Sequence, residues 1–273
     1  MRILLSLFVL LLCFSLTGCA VTKNKDVAYL EPAKAAPALN VFTSKKGKKM
    51  PVLIFVHGGN WNSGSKNQYG FFGRNFARKG VVTVIPDYTL SPLAGYDTMA
   101  AQIAAVIQWT KQNIAQYNGD PDQIFITGHS AGGHLVALAV MNPKYGVNPA
   151  DIKGIILNDA AGLDMKHYLE EYPPTIENDY IATWSSSPKI WQDASPVYFI
   201  NAKTPPFLIY VGNKTYESIK EANQRFVTAL HPFQPDVSPQ YINKKHVPMI
   251  VQYIWPWNKR YAEVINFIGL HKK

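Results

Sequence analysis

Ile124-Phe125-Ile126-Thr127-Gly128-His129-Ser130-Ala131-Gly132-Gly133-His134 is the stretch that decides the fold. A short apolar run leads into a G-x-S-x-G segment, and the apolar residues that follow, up to Val140, are typical of a buried helix. We therefore predict a strand, a tight turn and a helix, with Ser130 at the apex of the turn. A serine there needs a strained backbone, so glycine at positions 128 and 132 avoids clashes with the strand and the helix.

A second glycine-containing motif follows another apolar run. Residues 51–56 are continuously apolar, as in a strand covered on both faces, and they end in a His-Gly-Gly-Asn-Trp segment at residues 57–61. Glycines just past a central strand leave backbone N–H groups free to point into a cleft. In an acyl-transfer enzyme, the N–H groups of Gly58, Gly59 and Ala131 would stabilise the oxyanion that forms when the serine attacks.

Buried strands alternate with helical patterns along most of the chain. Apolar strand patterns recur at residues 81–85, 152–157 and 205–212, and helical spacing is found at residues 71–79 and 97–117. This alternation predicts an α/β fold with a mostly parallel central sheet flanked by helices. We expect one domain over residues 39–273, in which an aromatic-rich segment at about 163–193 breaks the alternation.

The first residues are predicted to lie outside this domain. A positively charged start, an apolar run at residues 3–12 and Leu16-Thr17-Gly18-Cys19 resemble a bacterial lipoprotein signal peptide, residues 1–18. The resemblance implies a diacylglyceryl group on the thiol of Cys19; an ordinary secretory peptide is the alternative. Residues 19–38 have the composition of a tether. We expect a lipid-anchored protein of the bacterial cell envelope, and Ala20 favours the outer membrane, facing the periplasm.

Composition argues against several classes of function. The net charge is +9, but the lysines are scattered and are not interleaved with aromatic residues on one helix, so we expect no nucleic-acid partner. Both cysteines, Cys13 and Cys19, precede the predicted domain. The domain therefore has no disulfide, no thiol nucleophile and no cysteine metal site. We expect neither a metal nor a cofactor.

Three motifs together resemble the α/β-hydrolase superfamily. They are His57-Gly58-Gly59-Asn60-Trp61, Pro86-Asp87-Tyr88-Thr89-Leu90-Ser91-Pro92 and Gly128-His129-Ser130-Ala131-Gly132-Gly133. The resemblance covers residues 52–270, and the most similar branch is that of the esterases similar to hormone-sensitive lipase, carboxylesterases and kynurenine formamidase.

The resemblance implies a serine hydrolase that cleaves carboxylic esters through an acyl-enzyme on Ser130. It also implies that the segment at 163–193 forms a lid or pocket wall, and a small satellite core is the alternative. Asp87 is assigned to holding the loops near His57. Asn60 is a departure, because many relatives carry a third glycine there; asparagine tolerates unusual backbone angles, so we expect the loop to keep its shape.

A serine nucleophile needs a base, which is itself oriented by an acid. In the superfamily the chain order is serine, acid, histidine. His246 is the best-placed downstream histidine, because it follows turn-like residues 243–245 and precedes a helix predicted over 261–270. His134 is assigned to packing or hydrogen bonding, and His231 and His271 are poorly placed.

The acid is harder to predict. Relatives usually carry an aspartate after the strand that corresponds to residues 205–212, and Thr215 stands at that position. Glu217 is the nearest carboxylate, and we predict it as the acid, in a loop before a capping box at Ser218-Ile219-Lys220-Glu221. The alternatives are Asp236, Asp164 and a two-residue dyad.

The sequence thus predicts a membrane-tethered, cofactor-free hydrolase whose partner is a small-molecule ester. An arylformamidase or another amide hydrolase would use the same groups with a different pocket, and the fold does not decide between these reactions. A hypothesis of another class is a catalytically weakened envelope protein that binds a ligand. Its motivation is Thr215, which stands where an aspartate is expected.

Overall fold

The computed structural model describes residues 21–31, 37–45, 47–176 and 180–272. The predicted signal peptide and Cys19 lie outside these residues. Within them, eight strands form one sheet in the order β1-β2-β4-β3-β5-β6-β7-β8. The strands are β1 Val21–Ala28, β2 Ala38–Ser44, β3 Met50–Val56, β4 Val82–Pro86, β5 Gly119–His129, β6 Ile152–Asn158, β7 Phe207–Gly212 and β8 Gln240–Ile242.

The sheet is parallel from β4 to β8 and antiparallel only where β1 and β2 join it. This is the predicted fold class. In the described ranges, no helix combines the length and the apolar composition needed to cross a membrane. The helices are α1 Gly70–Arg78, α2 Tyr96–Asn113, α3 Ala131–Met141, α4 Met165–Glu171, α5 Tyr180–Trp184, α6 Pro188–Asp193, α7 Glu217–Leu230, α8 His246–Val251 and α9 Lys259–Leu270.

Strand β3 is buried on both faces, which explains its continuous apolar sequence. Val52 and Ile54 pack into a core that includes residues of α2, α3 and α7. Leu53 and Phe55 pack into a second core that includes residues of α1, α8 and α9. Because successive side chains of a strand point to opposite faces, both sets must be apolar. Both faces of the sheet are therefore covered at β3.

The prediction that residues 19–38 form a tether is wrong for residues 21–28, the first residues of this segment that the structure describes. Val21–Ala28 forms β1, an edge strand that pairs antiparallel with β2, where Val21 lies opposite Ser44. The ion pair between Asp26 and Lys66, at 3.0 Å, also links this strand to the domain. An edge strand has one solvent-exposed side and is held by backbone pairing, so a polar sequence is compatible with it.

The segment predicted as a lid or a satellite core has features of both. Trp184 is fully buried and packs at 4.8 Å edge-on to Trp61 and at 5.4 Å against Tyr96, which makes a small aromatic core. Tyr168 and Tyr180 of the same segment line a cavity at the carboxyl end of the sheet. The segment is thus packed on the domain and supplies one wall of that cavity.

Candidate active site

Ser130 stands at a sharp turn between β5 and α3. Its backbone angles, φ 54° and ψ −125°, are strained for a residue with a side chain. A Cβ on Gly128 would lie 2.3 Å from backbone atoms of Gly132, and a Cβ on Gly132 would lie 2.1 Å from the carbonyl oxygen of Val56. The two glycines therefore permit the strand and the helix to approach closely enough to make the predicted turn.

His246, the first residue of α8, lies beside this serine as predicted. Its Nε2 is 2.8 Å from Oγ of Ser130, which suits a hydroxyl that donates to an imidazole nitrogen. The side chain is 13% exposed and lines a cavity. A serine and a histidine in this contact can transfer a proton between them.

Asp159 is the carboxylate that contacts this histidine. Its Oδ2 lies 2.6 Å from Nδ1 of His246, and its side chain is fully buried. Oδ1 accepts a hydrogen bond from the backbone N–H of Gly212 at 2.8 Å, and Oδ2 accepts another from the hydroxyl of Thr215 at 2.5 Å. Three donors thus satisfy the buried carboxylate, as its burial requires.

The prediction that Glu217 orients His246 is wrong. Glu217 is the first residue of α7 and not a loop residue, and its side chain is 83% exposed and pairs with Lys220 at 2.9 Å. The capping box predicted at residues 218–221 is wrong for the same reason, because the helix has already begun and Tyr216 is its N-cap. A glutamate in the first turn instead interacts favourably with the helix dipole.

The alternative acids do not contact His246 either. Asp164 is the N-cap of α4, where it accepts from the N–H of His167, and it pairs with Arg225 at 2.7 Å. Asp236 is exposed on the surface. Since Asp159 supplies the carboxylate, the site is not a two-residue dyad.

Asp159 was missed although the sequence contains a signal for it. The residue directly follows β6, which is the neighbour of both β5 and β7 in the sheet. Neighbouring parallel strands end at the same edge of the sheet. A carboxylate directly after β6 therefore lies close to the loop that follows β7. Asp159 also has φ 53°, a conformation that aspartate adopts more readily than most residues.

The loop after β3 lies against the nucleophile turn. A Cβ on Gly58 would be 2.9 Å from Cβ of Ser130, so only glycine brings the backbone this close. Among the described residues, no acceptor pairs with the N–H of Gly58 or Gly59. Ala131 follows the serine at the N-terminus of α3, where N–H groups have no partner within the helix. These N–H groups are the donors available to an oxyanion.

The rest of this loop has the backbone conformation that its sequence suggests. Asn60 has φ 50°, in agreement with the expectation that asparagine would replace a glycine without changing the loop. The carbonyl oxygen of Gly59 accepts hydrogen bonds from the N–H groups of Asn62 and Ser63 at 3.1 and 2.9 Å, which closes the turn.

His57 and Asp87 hold the loop after β3 in place. His57 is buried and stacks on Tyr88 at 4.5 Å, and its Nδ1 donates to the carbonyl oxygen of Gly58 at 2.8 Å. Burial lowers the pKa of His57. Asp87 pairs with Lys66 at 2.7 Å and lies 3.8 Å from Nε2 of His57. Asp87 is therefore structural, as predicted.

His129 lies beside His246 and contacts its backbone. The sequence did not suggest this role. Its ring stacks on that of His246 at 4.7 Å, and its Nε2 lies 3.2 Å from the carbonyl oxygen of His246. Burial, with the nearby charge of His246, lowers the pKa of His129 to about 3. The ring is thus neutral, and its Nε2–H donates to that carbonyl and helps fix the start of α8.

His134 has the structural role predicted for it. Its Nε2 donates to the carbonyl oxygen of Ala194 at 2.7 Å, and its Nδ1 accepts from the indole N–H of Trp61 at 3.2 Å. Burial lowers its pKa to about 4, so this histidine is neutral as well. It joins α3 to the loop after β3 and to the end of α6.

A cavity of about 620 Å³ opens above Ser130 and His246. This volume is in the range of small-molecule sites. The hydroxyl of Tyr180 donates to Oδ1 of Asn60 at 3.0 Å, which connects the aromatic segment to the loop after β3. The side chains that line the cavity include Tyr69, Tyr168, Tyr180, Tyr216, Met165, Ile219, Val247 and Ile250.

A separate group of side chains beside the cavity has the spacing of metal ligands. Within the described residues, His167, Glu171 and Glu221 have ligand atoms that all lie within 4.8 Å of one another. Each is at least partly exposed, and His167 already pairs with Glu221 at 2.7 Å. None of the three contacts Ser130, His246 or Asp159, and we assign no metal to them.

A protein-family model described as BD-FAE matches residues 39–230, more than half of the chain. The chain belongs to the BD-FAE family. Among curated proteins, it is similar to esterase LipQ of Mycobacterium tuberculosis (strain ATCC 25618 / H37Rv), with 30% identity over 182 residues, 62% of this chain and 42% of that protein. This BD-FAE protein therefore spans less than half the length of that relative.

Solved structures show which fold the BD-FAE chain shares. An inhibited esterase B from Lactobacillus rhamnosis has a TM-score of 0.75 at 20% identity, over 92% of this chain and 87% of that one. A thermophilic esterase from Thermogutta terrifontis, with butyrate bound, has a TM-score of 0.69 at 21% identity, over 93% and 96%. The chain has the α/β-hydrolase fold, of the type found in carboxylesterases.

Proposed function

We propose that this protein is a serine hydrolase that cleaves carboxylic esters through an acyl-enzyme on Ser130. The observation that carries the proposal is the series of contacts from Ser130 through His246 to Asp159, at the floor of a cavity of about 620 Å³. A carboxylate that orients an imidazole, which in turn accepts from a serine, is the arrangement that activates a hydroxyl for acyl transfer. The names of the similar proteins, which are esterases, support the same reaction.

In the first half of the reaction, Oγ of Ser130 attacks the carbonyl carbon of the ester. Nε2 of His246 takes the hydroxyl proton, and Asp159 stabilises the resulting imidazolium through Nδ1. The carbonyl oxygen becomes an oxyanion, for which the N–H groups of Gly58, Gly59 and Ala131 are the donors. Removing one such donor typically costs about 10²- to 10³-fold in kcat. His246 then returns the proton to the leaving alcohol.

In the second half, water replaces the alcohol. His246 removes a proton from the water as it attacks the acyl carbon bound to Ser130, and a second oxyanion forms at the same donors. The imidazolium protonates Oγ of the serine when this intermediate collapses, and the carboxylic acid leaves. All proton transfers use one histidine, so the reaction needs no metal or cofactor.

The contact with Asp159 removes the motivation for a catalytically weakened binding protein. That hypothesis was based on Thr215, and the carboxylate missing there is supplied by the preceding strand. An amide hydrolase would use the same groups, but no observation favours it over an ester hydrolase.

We also propose that the protein is held at a membrane of the bacterial cell envelope by acyl chains on Cys19. The support is the resemblance of residues 1–19 to a lipoprotein signal. Only Ala20 lies between Cys19 and the first residue of β1. At about 3.5 Å per residue, such an anchor would keep Val21, the first residue of β1, within roughly 10 Å of the lipid surface. Loss of incorporated radioactive palmitate in Cys19→Ser would support the anchor, and equal labelling would contradict it.

Hydrolysis of p-nitrophenyl esters from acetate to palmitate tests the enzymatic proposal. We expect turnover that disappears in Ser130→Ala, with labelling of the parent protein, but not of this variant, by a fluorophosphonate probe. The matched control is Ser238→Ala, which removes the hydroxyl of an exposed serine that does not line the cavity and should leave turnover unchanged. Absence of both turnover and labelling in the parent protein would overturn the proposal.

A further inference from the structure

Helix α8 and the turn that follows it present apolar side chains to solvent. Val247 and Val251 lie four residues apart on one face of α8, and both are exposed, whereas Met249 on the opposite face is buried in a core. Exposed apolar side chains continue past the end of the helix, where Gln252–Ile254 forms a 3-10 turn. We call this surface the aromatic face, and its members are Val247, Val251, Ile254, Trp255 and Trp257.

Two tryptophans supply most of the aromatic face. The rings of Trp255 and Trp257 lie 5.4 Å apart, and the two residues are 54% and 76% exposed. Hydrogen bonds fix the turn on both sides of them: Nδ2 of Asn75, in α1, donates to the carbonyl oxygen of Tyr253 at 3.2 Å, and the side chain of Asn258 caps α9. The rings are therefore displayed by an ordered turn. Exposed apolar groups of this size are typical of interaction surfaces.

The chain around the aromatic face is positively charged. Residues 237–262 contain no aspartate and no glutamate. Lys245 and Lys259, at the starts of α8 and α9, are exposed. Glu263, the next carboxylate along the chain, accepts a hydrogen bond from the guanidinium of Arg260 at 2.5 Å, so its charge is paired within the domain. The surface beside the tryptophans therefore attracts an anionic partner.

Helix α1 links the aromatic face to the start of β1. It is bonded to Tyr253 through Asn75, and it also contacts β1. Val21, the first residue of β1, packs against the same core as α1 and α8, so it lies on the same side of the sheet as they do. The nine residues of α1 span about 14 Å. An anchor at Cys19 would thus hold this side of the domain near lipid.

The aromatic face also borders the cavity. Val247 belongs to both, because it lines the cavity and is 60% exposed. It directly follows His246, whose Nε2 contacts Oγ of Ser130. A surface that binds at the aromatic face therefore lies at the rim of the cavity.

We propose that the aromatic face binds an anionic phospholipid surface and places the rim of the cavity at the membrane. Tryptophan suits such a surface, because its ring is apolar while its indole N–H finds partners among headgroups and water. Each lysine beside the rings adds about a fivefold gain in affinity for anionic lipid. The inference rests on the proposed membrane location, but it does not use the acyl chains of Cys19, because the folded domain carries every group that it needs.

Cosedimentation with lipid vesicles tests the proposal. The protein is made to begin at Ala20, because the sheet and both cores lie within the residues that follow. We expect it to bind vesicles of phosphatidylethanolamine and phosphatidylglycerol, and to bind them more weakly at high salt. Binding to phosphatidylcholine alone should be weaker. Bromine atoms on the acyl chains of the vesicles should quench the tryptophan fluorescence of the bound protein.

Substitutions in the aromatic face separate its two contributions. Trp255→Ala combined with Trp257→Ala should weaken binding at least about 10-fold, since it removes apolar area that enters the lipid. Lys245→Ala combined with Lys259→Ala should weaken binding to anionic vesicles by roughly 10-fold or more and should change binding to phosphatidylcholine little. The matched control is Phe233→Ala, an exposed aromatic residue after α7, a helix that packs into the other core, and it should bind as the parent does.

The outcomes separate this inference from the proposals on which it builds, because vesicle binding requires neither ester turnover nor labelling at Cys19. Absence of binding to anionic vesicles would overturn the inference, and so would equal binding by the parent and the folded tryptophan variant. If that variant does not fold, quenching in the parent decides, and no quenching by brominated lipid would overturn the inference. Binding to purified peptidoglycan instead of vesicles would assign the face to a sugar polymer and would also overturn it.

Discussion

Oδ2 of Asp159 lies 2.6 Å from Nδ1 of His246, although 87 positions separate the two residues in sequence. The carboxylate comes from the end of β6, whereas relatives of this fold usually carry it after the next strand. Because β6 and β7 are parallel neighbours, their ends open at one edge of the sheet. The loop after β7 keeps a supporting task, since it supplies hydrogen-bond donors to Asp159.

Acid pH is expected to destabilise the fold through its buried histidines. The pKa of His129 is lowered to about 3 and that of His134 to about 4, mainly by burial, and burial also lowers that of His57. An unfolded chain binds protons at these histidines near pH 6.5. Between about pH 6.5 and the lower pKa values of the folded state, the unfolded state binds more protons than the folded state. The contribution of these histidines to the free energy of unfolding is therefore complete above about pH 6.5 and is lost as the pH falls. Each histidine contributes up to about 1.4 kcal/mol per pH unit.

Urea unfolding at pH 7.5 and pH 5 measures this dependence. His134→Gln should lower stability at pH 7.5 but should show a smaller further loss at pH 5, because one buried titrating group has been removed. The matched control is Leu135→Ala, which removes a buried apolar side chain of α3 but no titrating group, so it should lower stability and keep the pH dependence of the parent protein. Equal stability of the parent at both pH values would contradict the expectation.

Gly58→Ala is expected to impair catalysis more than folding. The added Cβ would lie 2.8 Å from the carbonyl oxygen of His129 and 2.9 Å from Cβ of Ser130, so the loop must move away from the nucleophile. We expect kcat to fall about 10²- to 10³-fold, as for loss of an oxyanion donor. Kinetics with a p-nitrophenyl ester, together with a melting curve, measure both effects.

Gly269→Ala provides the control for that substitution. A Cβ at Gly269, in α9, meets no atom within 4 Å, so activity should be unchanged and stability should rise by up to about 1 kcal/mol. If Gly58→Ala had the kinetics of Gly269→Ala, the loop after β3 would not be part of the catalytic machinery.

Tyr180→Phe is expected to affect activity without loosening the fold. It removes the hydrogen bond to Oδ1 of Asn60, which joins the aromatic segment to the loop after β3. One such hydrogen bond is worth about 1 kcal/mol, so kcat/KM should fall about fivefold. Steady-state kinetics measure the effect, and Tyr172→Phe, an exposed tyrosine of the same segment, is the control. Identical kinetics for the two variants would contradict a role for this contact.

Removal of residues 21–31 tests whether β1 belongs to the domain. The deletion would expose the edge of β2, whose side chains are almost all buried, and would remove the partner of Lys66 at Asp26. We expect a lower urea midpoint and aggregation, whereas removal of residues 1–20 should leave the midpoint unchanged. Equal midpoints for the two truncated proteins would restore the interpretation of this segment as a tether.

Local chemistry explains which parts of the site were predictable. The turn at Ser130 follows from two glycines whose Cβ atoms would clash, and a rule of sequence spacing describes this fully. The position of His246 followed from the chain order of a known family. The mostly parallel sheet followed from the alternation of buried strands and helices, because covered strands have continuous apolar sequences.

The missed features depend on contacts between distant residues. Glu217 was preferred because its place in the sequence fits the family, but the helix begins at that residue and exposes it. Asp159 was overlooked because the sequence does not state the strand order in the sheet, which places β6 between β5 and β7, nor the contact between the residue after β6 and the first residue of α8. β1 was missed because an edge strand is held by its backbone, so its side chains give only a weak pattern.

The most direct test of the account compares kcat of Asp159→Asn with kcat of Glu217→Gln, on one p-nitrophenyl ester and with melting temperatures recorded for both. We predict a fall of about 10³- to 10⁴-fold for Asp159→Asn and less than about twofold for Glu217→Gln. A steep fall for Glu217→Gln with nearly unchanged turnover for Asp159→Asn would contradict the assignment of the acid to β6.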